Sequence, residues 1–321
     1  MLERARTYTL LGRYIPETGG WHHRRVTAMT AGRSGDTEVT ELELGPGLPT
    51  VRVGSGERTL VYLPGLSLHP GPIVGMERRT TISRLELLGP GYTVFIVGRR
   101  VRPVGTTFQE MAEDAIAAIE ELGGPVDLMG ASTGGMIAIH IAAARPDLVR
   151  QLVLLITGVR MSDEGRRFGQ EVVDAVRAGN WRTALGTVMT VGARNRVGRG
   201  LYRAVGWLLG PSVVGIPKDP TLFLTELEEW IRTDAQSILG SIPCLTRIIG
   251  GADDPVFPPE IVLRTAAGIA NAKAVIVPDL AHDVSPQVMT YHVAPFLARP
   301  APSRHTPQQY QQEVAKATDL G

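Results

Sequence analysis

The chain has 321 residues, 43% of them hydrophobic and 20% charged, which is enough for one large core carrying an inserted subdomain. Its formal net charge is +1, which argues against a broad nucleic-acid-binding or anionic membrane-binding surface. Cys244 is the only cysteine, so an internal disulfide and a cysteine-based metal site are excluded.

Residues 1–35 are polar and irregular and read as a solvated arm that includes His22-His23-Arg24-Arg25. The first thirty residues lack an apolar stretch of signal-peptide length, and no stretch approaches a membrane span. A soluble cytoplasmic protein with no membrane partner is the expectation. Residues 38–44 alternate polar and apolar like a half-exposed strand, with 50–53 as the hairpin partner. A buried strand is expected over 58–63, ending at Pro64-Gly65, then a helix over 75–88 and a strand over 92–97. Residues 107–122 read as an amphipathic helix, opened by a Thr107–Glu110 capping box and stopped by Gly123-Gly124. A strand from Val126 breaks at Gly130, and a helix over 136–144 stops before Pro146. Another apolar strand covers 152–156. Continuous apolar strands alternating with helices indicate a parallel sheet covered on both faces. The alternation then fails. Between 159 and 241 only helices are expected, over 165–178, 181–191, 198–209 and 221–239. It resumes with a strand over 244–249, a helix over 259–270, a strand over 274–277 and a helix over 284–297.

The stretch Gly130-Ala131-Ser132-Thr133-Gly134 places a serine in the pattern G-x-S-x-G between a strand and a helix. Glycines on either side permit a sharp turn that exposes the hydroxyl, and the helix N-terminus aims unpaired N–H groups at the same spot. In open α/β sheets chemistry collects beyond the C-terminal ends of the strands. Two carboxylates, Asp253 and Asp254, follow the 244–249 strand, and Pro255 forces Asp254 into an extended conformation. His282 follows the 274–277 strand. Alone, the first pair is a turn and the second a surface histidine. Together, serine, acid and histidine each follow a different strand. A serine hydroxyl needs an adjacent base, and a carboxylate can orient that base. Backbone N–H groups of Thr133 and of Leu66, in Pro64-Gly65-Leu66-Ser67, stand where an oxyanion would form.

These motifs, with Arg145-Pro146-Asp147-Leu148-Val149-Arg150, Gly251-Ala252-Asp253-Asp254-Pro255-Val256-Phe257-Pro258 and Ala281-His282-Asp283, resemble the α/β-hydrolase superfamily over residues 38–298. The resemblance implies an α/β-hydrolase fold: an eight-stranded, mostly parallel sheet flanked by helices, with a helical cap inserted after the sixth strand. It also implies that the acid is Asp254, since Gly251, Asp254 and Pro258 match the family's acid motif in register. The sequence departs from the family at Pro64, where histidine is common, and at Ala281, where glycine is common. Ser132 excludes the relatives whose nucleophile is aspartate. His292 and His140 fall inside helices and are weaker candidates for the base.

The expected organisation is an N-terminal arm at 1–35, a core at 36–158 and 242–298, an all-helical cap at 159–241 and a tail at 299–321. Apolar cap residues such as Trp181, Leu185, Met189, Trp207, Phe223 and Trp230 favour an apolar or aromatic substrate, although most will pack the cap itself. Arg194, Arg196, Arg199 and Arg203 could take an acidic group or simply face solvent. No phosphate loop or metal-ligand cluster is apparent, so no cofactor or metal is expected. The reading is a serine hydrolase of a small-molecule carboxylic ester or lactone, with Ser132, His282 and Asp254 as catalytic residues and Leu66 and Thr133 as oxyanion donors. A homo-oligomer is possible and nucleic acid is not expected. The same residues would also serve a cofactor-free haloperoxidase or perhydrolase, a C–C hydrolase or a lyase. A ligand receptor of the same fold is the reading from another class.

Overall fold

The computed structural model describes residues 37–299 throughout, save the side chain of Arg196, and before them the strands Thr7–Thr9, Tyr14–Ile15, Gly20–Trp21, Arg25–Thr27 and Thr30–Ser34. His22-His23-Arg24 and the tail beyond Arg299 lie outside the described residues. Eight strands follow in chain order: β1 (Thr37–Leu44), β2 (Leu48–Val53), β3 (Arg58–Leu63), β4 (Tyr92–Val97), β5 (Val126–Ala131), β6 (Val149–Leu155), β7 (Leu245–Gly251) and β8 (Ala272–Val277). They form one sheet in the order β8-β7-β6-β5-β3-β4-β2-β1. From β4 to β8 all neighbours are parallel, while β2 runs antiparallel to β4 and β1 to β2. A ninth strand, Thr30–Ser34, pairs antiparallel with β1, with Ser34 opposite Thr37. Part of the stretch expected to be irregular is therefore an edge strand. Thr30-Ala31-Gly32-Arg33-Ser34 has no apolar alternation to betray it, and the pairing is a matter of backbone bonds.

Every residue of β4 and β5 is buried, as expected for strands covered on both faces. Side chains alternate between two cores. Val61 and Leu128 face the side packed by α2 (Phe108–Glu121) and α3 (Thr133–Ala144). Leu60 and Met129 face the side packed by α1 (Gly75–Glu86) and the last helical segment, Pro286–Leu297. The Thr107–Glu110 capping box is formed and starts α2. At the sheet end away from the serine turn, buried Asp127 binds Arg58 at 2.7 Å and Arg150 at 2.9 Å, tying β3, β5 and β6 together.

Between β6 and β7 lie only helices: α4 (Asp163–Arg177), α5 (Trp181–Met189), α6 (Arg196–Val213), α7 (Thr221–Arg232), and the short turns Thr190–Gly192 and Gln236–Ser241. Several bounds differ from the sequence reading. Helix α3 begins at Thr133 rather than 136, because its first turn is built from the glycines of the serine motif. The helix expected over 221–239 ends at Arg232; Thr233 is extended, and the Asp234 carboxylate accepts the Gln236 N–H to start a separate turn. Helix α6 runs four residues past Leu209 and carries Pro211 in its last turn. The helix over 259–270 stops at Ala267, with Gly268 as its C-cap. The last helix widens over Met289–Val293, ahead of Pro295, which has no N–H to offer the preceding turn.

His140, on α3, is half-buried beside the Phe108 ring, and its Nε2 has no hydrogen-bond partner among the described residues. Burial holds its pKa below the ordinary 6.5, against a smaller opposing pull from Glu229. The unfolded chain therefore takes up a proton at this site more readily than the folded one. The contribution to stability is complete above pH 6.5 and is lost as the pH falls through the lowered folded pKa. Urea unfolding at neutral and at mildly acidic pH should show a smaller acid loss for His140→Gln than for the unmodified chain. An equal loss in both would refute this assignment.

Candidate functional site

Ser132 sits at φ +49° and ψ −116°, between β5 and α3. Side chains other than glycine rarely adopt positive φ, and such strain persists only when surroundings enforce it. Here the Ser132 N–H donates to Leu155 O at 2.9 Å, and its carbonyl accepts from Thr157 Oγ1 at 2.9 Å. The flanking glycines allow the crossing. A Cβ on Gly130 would stand 2.3 Å from Gly134 O, and one on Gly134 would stand 2.1 Å from Leu63 O. The serine itself stays half-exposed.

His282 and Asp254 reach the same point from neighbouring strand ends. His282 Nε2 lies 3.1 Å from Ser132 Oγ, and Nδ1 lies 2.8 Å from Asp254 Oδ2. The Asp254 carboxylate is almost fully buried, and its Oδ1 accepts the N–H groups of Val256 at 2.8 Å and Phe257 at 3.0 Å. The two loops are bonded to each other, with Ala252 N–H donating to Val277 O and Asp253 N–H to Leu280 O, each at 2.9 Å. A Cβ on Gly251 would stand 2.1 Å from Leu280 O, so only glycine permits this approach. The Phe257 ring packs against the imidazole at a centroid distance of 5.6 Å. The His282 N–H donates to Val191 O of the helical insertion at 3.2 Å.

Asp253, the other carboxylate of the pair, lies apart and faces Arg194 at 3.5 Å. His292 lies in the widened turn of the last helix. Arg194 also pairs with Asp279, Arg199 with Glu164, and Arg203 with Glu171, so these arginines meet acidic side chains of the protein itself. Beside the Asp254 turn a cleft of about 300 Å³ opens between α4 and α6, walled in part by Phe168, Thr190, Val256, Arg199 and Arg203. Among the described residues no group of three His, Cys, Asp or Glu side chains could hold a metal ion.

The Pro64–Ser67 loop passes beside the serine, where a Cβ on Gly65 would meet Ser132 Cβ at 3.6 Å. Its orientation is fixed by an ion pair that composition and spacing did not reveal. The Arg99 guanidinium, at the end of β4, donates to Pro64 O at 3.0 Å, to Gly65 O, and to Ser67 Oγ at 2.9 Å. It is paired with Glu226 of α7, whose Oε2 also accepts the Ser67 N–H at 2.9 Å. Arg99 is 7% exposed and Glu226 not at all. The Gly65–Leu66 peptide is trans, so its carbonyl and its N–H point in opposite directions. With the Gly65 carbonyl held by Arg99, the Leu66 N–H points away from the guanidinium. Thr133 N–H, at the first position of α3, has no partner within its helix, and the Thr133 hydroxyl accepts from Trp230 Nε1 at 2.9 Å.

A model of the alpha/beta hydrolase family matches residues 60–298, most of the chain. The chain belongs to this family. It is 29% identical over 195 residues to a Mycobacterium tuberculosis protein named "Putative non-heme bromoperoxidase BpoC", covering 58% of this chain and 72% of that one. It is 26% identical over 212 residues to a pimeloyl-[acyl-carrier protein] methyl ester esterase of Neisseria meningitidis, covering 62% of this chain and 64% of the relative. The crystal structure of the enol-lactonase from Burkholderia xenovorans LB400 superposes with a TM-score of 0.63 at 16% identity, over 84% of this chain and all of that one, a likeness of fold.

In this alpha/beta hydrolase the residues around the serine to which the sequence reading gave no role are Arg99, Glu226 and Thr157, and it gave none to Phe257 beyond its place in the acid motif. A signal existed for Glu226. It stands on the apolar stripe of α7 with Phe223, Leu227 and Trp230, where an unpaired carboxylate would be costly. Gly134→Ala should lose about 3 kcal/mol or more, because the new methyl would overlap the backbone carbonyls of Leu63 and Pro64. Gly65→Ala, which would make only ordinary contacts, should melt within a few degrees of the unmodified chain. Thermal circular dichroism of the two variants checks this, and equal melting temperatures would contradict it.

Proposed function

We propose that this chain is a serine hydrolase, acting without a cofactor on a carboxylic ester or lactone of an apolar or aromatic small molecule. The observation that carries the reading is the continuous chain of contacts from Ser132 Oγ through His282 to buried Asp254, at 3.1 and 2.8 Å. His282 takes the hydroxyl proton as Ser132 attacks the carbonyl carbon. Asp254, already committed to two backbone N–H groups through Oδ1, keeps Oδ2 for Nδ1–H and stabilises the imidazolium. The tetrahedral oxyanion is taken by the N–H groups of Leu66 and Thr133. His282 returns its proton to the leaving oxygen, and the C–O bond breaks. A water, deprotonated by the same imidazole, then releases the acyl group and restores the serine. Residues 159–241 act as a cap, with α7 supporting the site through Glu226 and Trp230.

Ser132→Ala should abolish labelling by a fluorophosphonate and lower aryl-ester hydrolysis by about 10⁴-fold or more. Full activity in that variant would remove the basis for the reading. Glu226→Gln should lower kcat by roughly 10²-fold with little change in KM, since it loosens the loop that carries the Leu66 donor without touching a bound substrate. A rise in KM at constant kcat would instead assign Glu226 to substrate binding.

The relative named as a bromoperoxidase favours one second reading. In it hydrogen peroxide replaces water on the acyl-enzyme, and the released peracid oxidises bromide. Bromination of a phenol that requires peroxide, bromide and Ser132, at a rate above ester hydrolysis, would favour this over the first reading.

A further inference from the structure

Helix α6 is amphipathic in the inverted sense. Its arginines at 199 and 203 turn toward the protein, where they pair with Glu164 at 2.5 Å and Glu171 at 2.8 Å on α4. Its packing against α5 is made through glycine. A Cβ on Gly206 would stand 2.8 Å from Leu185 O, and one on Gly210 would stand 2.9 Å from Leu185 Cβ. The large apolar side chains are left outside, with Val197 85%, Leu201 63% and Leu208 59% exposed. Ala204 and Val205 are exposed between them. At about 3.6 residues per turn these five fall on one stripe, opposite Gly206 and Gly210. A stripe of this kind on a water-facing helix marks an interaction surface.

We propose that this stripe docks against the same stripe of a second copy of the chain, the two α6 helices running antiparallel about a twofold axis. Two observations select that occupant. The first is the spacing. Positions 197, 201, 204 and 208 follow each other at intervals of four, three and four, the seam of one helix against another. The pattern is also its own complement when reversed. Val197 of one copy faces Leu208 of the other, and Leu201 faces Ala204, a large side chain opposite a small one at the centre. An isologous interface requires such self-complementarity. The second is charge. A helix lying on an anionic bilayer carries basic residues at the margin of its apolar face. Here Arg199 and Arg203 are on the far side and already neutralised by Glu164 and Glu171, so the stripe offers lipid headgroups no cation from either residue.

Sedimentation equilibrium of the full chain at micromolar concentration should give about twice the 34.6 kDa chain mass. Leu201→Arg and Leu208→Glu should each halve that mass while leaving the circular dichroism spectrum unchanged. Should either variant fail to fold, Ala204→Cys decides: a short bismaleimide should join two copies through position 204, whereas the unmodified chain, whose Cys244 is buried, should stay unjoined. An unmodified chain that sediments as a monomer overturns the proposal. If that monomer floats with phosphatidylcholine vesicles, the stripe belongs to a lipid surface instead. A dimer that survives both charge substitutions, or no linkage through position 204, overturns the assignment of the interface to α6.

Discussion

At φ +49° the backbone of Ser132 stores strain on the order of 1–3 kcal/mol, and the molecule holds it there from several directions. The end of β6 supplies a carbonyl to its N–H, and Thr157 supplies a hydroxyl to its carbonyl. The N–H groups of Gly135 and Met136 close on the same carbonyl to begin α3. Around this point β3, β5 and α3 approach until backbone touches backbone, so Gly130 and Gly134 have no room for a side chain. Thr157 crowds Gly135 in the same way, since a Cβ there would stand 2.4 Å from its methyl carbon. The sheet order β6-β5-β3 is thus a requirement of the turn as well as a consequence of packing. No other order would put the end of β6 on one side of the serine and the end of β3 on the other.

The Arg99–Glu226 pair extends the same constraint into the helical insertion. A buried ion pair rarely adds net stability, because desolvation offsets the attraction, but leaving one partner alone costs about 3–5 kcal/mol. Its worth lies in what the remaining donors and acceptors do. Arg99 occupies the carbonyls of Pro64 and Gly65, and Glu226 occupies the N–H of Ser67, so three consecutive peptides have one orientation. The loop cannot turn its Gly65–Leu66 peptide over without stripping a buried guanidinium of an acceptor. Because Glu226 belongs to α7, the geometry beside the serine depends on the insertion being seated. Trp230, one turn further along α7, bonds Thr133 and packs on Phe257, which in turn packs on His282. One face of one helix therefore touches the loop before the nucleophile, the residue after it, and the ring that backs the histidine.

Much of this was legible in the sequence, for a definable reason. Strands with apolar residues on both faces, broken by glycine or proline, announce themselves, and the residues that follow them must lie at one edge of a parallel sheet. That logic brought Ser132, Asp254 and His282 together before any coordinates did. It stopped short at Arg99, although Arg99 also follows a strand, because a lone arginine on a loop is ordinary and its partner lies 127 positions away in the chain. It missed the ninth strand because Thr30–Ser34 joins an edge by backbone bonds that leave no pattern in the side chains. It placed Trp207 within an apolar cap, but Trp207 stands about half exposed, as do Leu208 and Leu209 beside it. Periodicity shows that a helix has an apolar stripe. It does not show which way the stripe faces when the opposite side is glycine and paired arginine.

The insertion therefore has two layers that differ in how they are held. The inner layer, α7, is fixed by a buried ion pair, by the Trp230–Thr133 bond and by aromatic packing, each of which is expensive to break. The outer layer, α6, rests on α5 through Gly206 and Gly210 and on α4 through two ion pairs whose side chains are 38% to 51% exposed. Surface pairs of that kind contribute about 0–1 kcal/mol each, whereas burying a valine or leucine side chain contributes about 1.5–3 kcal/mol. By that comparison the two ion pairs to α4 are worth less than burial of the exposed stripe, and α6 is held to its own chain chiefly by its close backbone packing on α5. The site is tied to both layers: to α7 through Glu226 and Trp230, and to the turn between α5 and α6 through the bond from the His282 N–H to Val191 O.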